Sequence, residues 1–185
     1  MNGLYYKENI ELPSILEELD RREWKKITTS ENSRKIQHYG FTYDYAARKS
    51  SNICEPFPEC IAALAQQLKD TCVELGIVAE GHEFNQCIVN DYQPGQGISK
   101  HIDIKQYGPV IGCFTIGSGA MMTFRIPDTN AQVNCYVKEN SLYIMSGDAR
   151  YKWTHEMASR KSDVVDGQKV ARGRRVSITF RSLQV

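Results

Sequence analysis

From Phe84 to Leu183 the chain is a succession of short segments, rich in β-branched and aromatic residues and separated by turns. They read FNQCIVNDY (84–92), VIGCFTIG (110–117), AMMTFRI (120–126), NCYV (134–137), SLYIMSG (141–147) and RRVSITFRSL (174–183). Each has the length and composition of a strand, and the Gly-Ser-Gly at 117–119 reads as a tight turn joining two of them. Only two helical patterns come before. One is PSILEELDRREW (13–24), with Ser14 as a candidate N-cap. The other begins near Pro58 and sets Ile61, Leu64, Ala65, Leu68 and Cys72 at helical spacing before Gly76 ends it. Helices first and many strands afterwards predict an α+β fold, an antiparallel sandwich or jelly roll buttressed on one side by helices.

The chain has 185 residues, 41% hydrophobic and 24% charged, which suits one folded domain and excludes a disordered one. No apolar run approaches the roughly 20 residues of a membrane span, and the first residues lack the apolar core of a signal peptide. The expectation is a monomer with no membrane association, in the cytoplasm, the nucleus or another reducing compartment. The six cysteines (54, 60, 72, 87, 113 and 135) form no C-x-x-C pair and mostly lie in apolar runs, so free thiols are expected. A net charge of +1 identifies no partner. Two basic clusters can track phosphates or can be solvated surface: Arg21, Arg22, Lys25, Lys26, Arg34 and Lys35, and then Arg160, Lys161, Lys169, Arg172, Arg174 and Arg175.

The last strand alternates. Val176, Ile178 and Phe180 face one way; Arg175, Ser177, Thr179 and Arg181 face the other, either to water or into an anion-holding cavity. A second pattern is His101-Ile-Asp103. Residues i and i+2 of a strand share a face about 7 Å apart, close enough for both to grip one ion. His155, in RYKWTHEM, is a third ligand if antiparallel neighbours bring it beside His101. Two imidazoles and a carboxylate leave open positions on the metal and suit non-haem Fe(II), with zinc the runner-up. Around this pattern lie Asn90 and Tyr92 on one strand face, the turn residues Pro94, Gly95 and Gly97, and the two same-face arginines 175 and 181. A ferrous oxygenase using 2-oxoglutarate needs a fixed cation for the distal carboxylate, and arginine offers it two parallel donors.

The combination N-x-Y-x-P-G, H-x-D, H and R-x5-R, carried by Asn90–Gly95, His101–Asp103, His155 and Arg175–Arg181, resembles the AlkB family of Fe(II)- and 2-oxoglutarate-dependent dioxygenases. The likeness spans roughly residues 34–183. QHYGFTYDY, PGQGISKHID and SLYIMSGDARYKWTH are most similar to the branch holding the AlkB-like domain of the animal tRNA wobble-uridine hydroxylase, which has short bacterial and viral members. The resemblance implies a double-stranded β-helix, a jelly-roll form, with N-terminal helices on one side. Residues 1–83 would supply helices and a substrate lid, and 84–185 the iron and 2-oxoglutarate core of a single domain. It implies His101, Asp103 and His155 as catalytic Fe(II) ligands. Arg175 would bind the distal carboxylate of 2-oxoglutarate, Asn90 and Tyr92 would add hydrogen bonds, and Arg181 would sit by the cosubstrate's inner end. O2 is the third reactant.

The implied reaction is oxidation of an alkyl or modified group on a nucleic-acid base. An oxidised N-linked methyl is released as formaldehyde, the demethylation of DNA repair; a group on carbon keeps its hydroxyl, as in tRNA wobble-uridine modification. The partner would be single-stranded DNA or RNA, tRNA included. The alternative is a 2-oxoglutarate oxygenase acting on protein or a small molecule. Repair-type members carry an acidic residue two places after the metal aspartate, where this chain has Lys105, which disfavours a cationic lesion. Lys105 would meet a phosphate, a carbonyl-rich base or a carboxylate, or would point to solvent. Tyr39, Phe41, Tyr43 and Tyr45 alternate along a segment with Arg34 near one end and Arg48 near the other. They fit a strand packing into the core, or a lid on which a base stacks while cations hold phosphates.

Overall fold

The computed structural model describes residues 1–12 and 14–183, with only the backbone of Ser51; Pro13 of the expected first helix and residues 184–185 lie outside it. The chain opens with strand β1 (Leu4–Lys7) and helix α1 (Ile15–Asp20), then β2 (Lys25–Lys26), β3 (Lys35–Tyr39), β4 (Phe41–Asp44) and β5 (Lys49–Ile53). Helix α2 (Glu59–Glu74) leads into β6 (Gln86–Tyr92), β7 (Ile98–His101), β8 (Ile111–Gly117), β9 (Ala120–Arg125), β10 (Gln132–Val137) and β11 (Ser141–Met145). Short helix α3 (Gly147–Tyr151) precedes β12 (Thr154–Met157), hairpin β13 (Ser162–Val165) and β14 (Gln168–Ala171), and the final strand β15 (Arg175–Arg181).

Seven strands form the main sheet in the order β1-β11-β8-β15-β6-β3-β2, all neighbours antiparallel. Four form a second sheet, β10-β9-β12-β7, also antiparallel. Two hairpins, β4–β5 and β13–β14, stand apart from both. The main sheet has two covered faces, so its central strands are buried along their whole length. On one face, Ile61, Leu64, Leu68 and Cys72 of α2, with Ile15 and Leu19 of α1, pack on Val89, Phe114, Ile178 and Phe180. Gly112 lets α2 approach, since a Cβ there would stand 2.4 Å from a Leu68 methyl. On the other face, Ile111, Cys113, Tyr143 and Met145 meet Met122, Phe124 and Met157 of the second sheet.

This is the expected jelly-roll architecture with helices on one side, and it decides the polar face of β15. Arg175, Ser177, Thr179 and Arg181 are buried between the sheets rather than solvated. All six cysteines are free. Helix α2 matches its sequence pattern, with Gly76 at φ +67° beyond its end. Helix α1 is shorter than its pattern: Arg22 N–H donates to Leu19 O, a tighter turn that ends it, and the Ser14 side chain makes no capping hydrogen bond.

The N-terminal part departs from its reading as helices and lid alone. It contributes β1, β2 and β3 to the main sheet. These strands escape the sequence pattern because β3 turns a polar residue, Gln37, toward the helices, where its amide donates to Leu19 O at 2.8 Å. The alternating aromatics of 39–45 are likewise divided. Gly40, at φ +76° and with no room for a Cβ beside Asn85 O, ends β3 and starts β4 in another sheet.

Candidate active site

Ladder pairing builds the site. His155 of β12 stands directly opposite His101 at the end of β7, and their rings lie 4.2 Å apart, centroid to centroid. Asp103 follows two residues later, beyond the strand. One ligand atom from each of the three falls within 4.8 Å of the others, a group able to hold one metal ion. His101 Nδ1 lies 2.8 Å from Ser99 O, which fixes its proton there and leaves the Nε2 lone pair, 3.5 Å from Asp103 Oδ1, facing the group.

The charges suit a cation. Burial alone would push the Asp103 carboxyl up, but Arg181, whose Nε donates to Oδ2 at 2.8 Å, and the two imidazoles hold it well below the usual range. Burial, with His101 beside it, pushes His155 down to about 3. One anionic and one neutral donor are thus ready at neutral pH without a proton to expel.

Behind the triad a narrow cavity runs between the sheets, lined by Asn90, Tyr92, Tyr143, Ser177, Thr179 and Arg175 among others. Arg175 is 4% exposed and donates from Nη2 to Thr115 Oγ1 at 3.0 Å, while its buried Nε has no partner. An unpaired guanidinium N–H in a closed, otherwise neutral end of a cavity is costly unless an anion fills it. Arg181 Nη1 also donates to Gln86 Oε1 at 3.3 Å. The residues present therefore fit a divalent metal at the triad and a dicarboxylate reaching from it to Arg175.

In front of the triad opens a cleft of about 640 Å³. Tyr43, Tyr45 and Arg48 of the β4–β5 hairpin, with Arg34 and Tyr107, form its wall. The aromatics are continuous: His38 stacks on Tyr45 at 6.2 Å, Tyr45 meets Tyr43 edge-on at 4.9 Å, and Tyr43 meets Tyr107 at 6.4 Å. Arg34 Nε donates to Asn90 Oδ1 at 2.9 Å, and its guanidinium lies 5.7 Å from the Tyr92 ring, as Arg175 does. Asn90 thus borders both cleft and cavity.

Not every candidate lies here. Tyr39 is 1% exposed in the helix-side core, its hydroxyl donating to Gln37 Oε1 at 2.9 Å, so it is no lid residue. Phe41 borders neither cleft nor cavity; its carbonyl accepts from Gln86 at 3.5 Å and its ring is half-buried. Lys105 lies exposed in a turn and is absent from the cleft wall. The arginines of the 160–175 basic run are largely taken up by carboxylates, while Lys161 and Lys169 are exposed: Arg160 and Arg172 bind Asp163, and Arg174 binds Asp20 and Asp91. Three contributors had gone unnoticed. Thr115, the one hydroxyl in VIGCFTIG, was detectable as a polar residue in a buried run. Tyr107 and Arg150 carried no pattern of their own.

The 2OG-Fe(II) oxygenase superfamily matches residues 13–181, so the chain belongs to it and is a dioxygenase using Fe(II), 2-oxoglutarate and O2. Its relatives place it among the AlkB-like members. It is 31% identical over 193 residues to a Xenopus tropicalis protein named tRNA (carboxymethyluridine(34)-5-O)-methyltransferase alkbh8, covering 92% of this chain and 29% of that one. It is 32% identical over 180 residues to protein L905 of Acanthamoeba polyphaga mimivirus, covering 91% and 77%. The solved structure of OsALKBH1 superposes with TM-score 0.69 at 13% identity, over 97% of this chain and 98% of that one.

Proposed function

We propose that this dioxygenase oxidises a modified base presented by a single-stranded nucleic acid, and that the base carries a neutral, carbonyl-rich or anionic group, as a modified tRNA wobble uridine does. The cleft carries this reading. Its wall offers aromatic faces and three arginines, Arg34, Arg48 and Arg181, and its only carboxylate among the described residues is Asp103, already held by Arg181. A cationic methylated base would find no free anion there and the guanidinium groups of Arg34 and Arg48 against it.

In this reading His101, Asp103 and His155 hold the Fe(II), which supplies the oxidation: 2-oxoglutarate and O2 become succinate and carbon dioxide as a substrate C–H becomes C–OH. The chain supplies orientation. Arg175, held by its bond to Thr115, takes the distal carboxylate at one end of the cavity, with Asn90 and Tyr92 along its length. Arg181 keeps one carboxylate oxygen of Asp103 occupied and so turns the other to the metal. Tyr43 and Tyr45 stack the base over the triad and exclude water. A polar groove of about 850 Å³, walled by residues 27–28, 30–34, 93–97, Ser159 and Lys161, adjoins the cleft at Ile27 and Arg34 and gives the flanking chain room to leave.

Nucleoside mass spectrometry after incubation with unmodified-pathway tRNA and with alkylated single-stranded DNA tests this. A gain of one oxygen on a tRNA uridine is expected, and methyl loss from cationic bases is not. Failure to bind either polymer at low salt, with turnover on a protein or small molecule instead, would overturn the nucleic-acid reading.

A further inference from the structure

The β7–β12 ladder fixes His101 against His155, but β7 ends at His101. Asp103 therefore lies outside the ladder, in an irregular segment whose carbonyls need donors from elsewhere. One side chain supplies them. Arg150 is 2% exposed and donates from Nη1 to Asp103 O at 2.9 Å, from Nη2 to Ile104 O at 2.7 Å and Tyr107 O at 2.9 Å, and from Nε to Gly108 O at 3.2 Å. Among the described residues no carboxylate stands within ion-pair distance of it. Its charge is met by carbonyl dipoles and by the ring of Tyr151, whose centroid lies 4.8 Å from the guanidinium carbon.

The placement matters as much as the bonds. Arg150 sits in α3, five residues before His155 and joined to it by the start of β12. The guanidinium therefore ties the segment carrying Asp103 to the segment carrying His155, the one pair in the triad that neither strand pairing nor nearness in the chain connects. Arg181 holds the Asp103 side chain and Arg150 holds its main chain. The same clamp orders Ile104 and Tyr107, which wall the cleft.

We propose that Arg150 is a positioning residue of the metal site: it sets the distance between the Asp103 and His155 donors, and through them the affinity for the metal. Lysine cannot replace it, because an ammonium offers three donors at one point whereas the guanidinium spreads its donors in a planar fork over four carbonyls. The proposal rests on the triad being the metal site.

The test is Mn(II) affinity of the metal-free chain, measured by calorimetry on Arg150→Lys beside Arg172→Lys. Arg172 is another buried guanidinium, which chelates Asp163 through Nε and Nη2 at 2.6 and 2.8 Å, away from the triad. Arg150→Lys should weaken Mn(II) binding about tenfold or more, the scale seen when a group orienting a metal ligand is lost. Arg172→Lys should lower the melting temperature and leave Mn(II) affinity within about twofold. Equal Mn(II) affinity for Arg150→Lys and the unsubstituted chain would overturn the proposal. If Arg150→Lys does not fold, hydrogen exchange on the unsubstituted metal-free chain decides. The amides of Tyr107 and Gly108, bonded to Ile104 O and Ser182 O, should be as protected as those of β12, and rapid exchange there would show that Arg150 does not hold the segment. No Mn(II) binding by the unsubstituted chain would overturn the triad assignment, and this proposal with it.

Discussion

The cavity behind the triad and the cleft in front of it share Asn90, His101, Asp103 and Arg181, yet they are built differently. The cavity is made of strand residues whose neighbours across the ladder are fixed in register, β6 against β15 and β15 against β8. The cleft rests on residues of β6, β7 and β15, but the rest of its wall is a separate two-stranded hairpin, a loop and the turn after β7. Ladders hold a reacting group to a fraction of an ångström; hairpins and loops adapt to what they cover. The chemistry is therefore in the rigid part, and the choice of substrate in the part able to change.

The largest expected effect lies where the two regions meet. His155→Ala removes the most buried imidazole donor, and both Mn(II) binding and succinate formation should fall below detection. Retained metal binding at unsubstituted strength would refute the triad. Next comes the far end of the cavity. Arg175→Gln loses a charged donor pair worth roughly 1.5–3 kcal/mol, so the KM for 2-oxoglutarate should rise about 10- to 100-fold. Metal affinity should hardly move, and an unchanged KM would place the distal carboxylate elsewhere.

Tyr45→Ala tests the cleft by itself. Base stacking contributes about 1–3 kcal/mol, so the KM for the nucleic acid should rise roughly 5- to 150-fold while that for 2-oxoglutarate stays put. A matched rise in both would mean that cleft and cavity are not separable.

The unequal construction also explains what could be read from the sequence. His101, Asp103, His155, Asn90, Tyr92, Arg175 and Arg181 all lie on or beside regular strands, where period-two alternation assigns each side chain to a face before any partner is known. Tyr39 shows where that logic stops. It alternates with Tyr43 and Tyr45 and shares their composition, but a single positive-φ glycine sends it to the opposite side of the protein. Arg150 shows a different limit. Its role depends on four backbone carbonyls about 45 residues away in sequence (separations of 42 to 47), and carbonyls leave no mark in the choice of amino acids.

His38 backs the cleft wall, stacking on Tyr45 while its Nε2 lies buried without a partner. Burial pushes it down to about 4, with Arg181 and Lys25 adding to the effect. Its folded pKa is thus below its unfolded value of about 6.5, so its contribution to stability is complete above that pH. It is lost as pH falls from there toward about 4. In the metal-free chain His155 titrates in the same sense, down to about 3. His38→Asn should remove one proton's share of the acid slope, at most ~1.4 kcal/mol per pH unit, leaving that of His155. Urea unfolding across this pH range measures it, and an unaltered slope would mean that His38 is not buried neutral.

The smallest effect is expected at Lys105. It follows the metal carboxylate by two residues, and the sequence alone fits either a substrate contact or a solvent-facing loop there. In the fold it is exposed on a turn whose neighbours Ile104 and Tyr107, but not Lys105 itself, wall the cleft. An exposed side chain without partners is worth within about 0.5 kcal/mol, so Lys105→Ala should change the nucleic-acid KM by no more than about twofold. A tenfold rise would mean that the turn folds over the cleft when substrate binds, and Lys105 would then belong to the adaptable region. The charge of the preferred base does not depend on which result is found, because among the described residues the cleft wall holds no carboxylate beyond the one that Arg181 already binds.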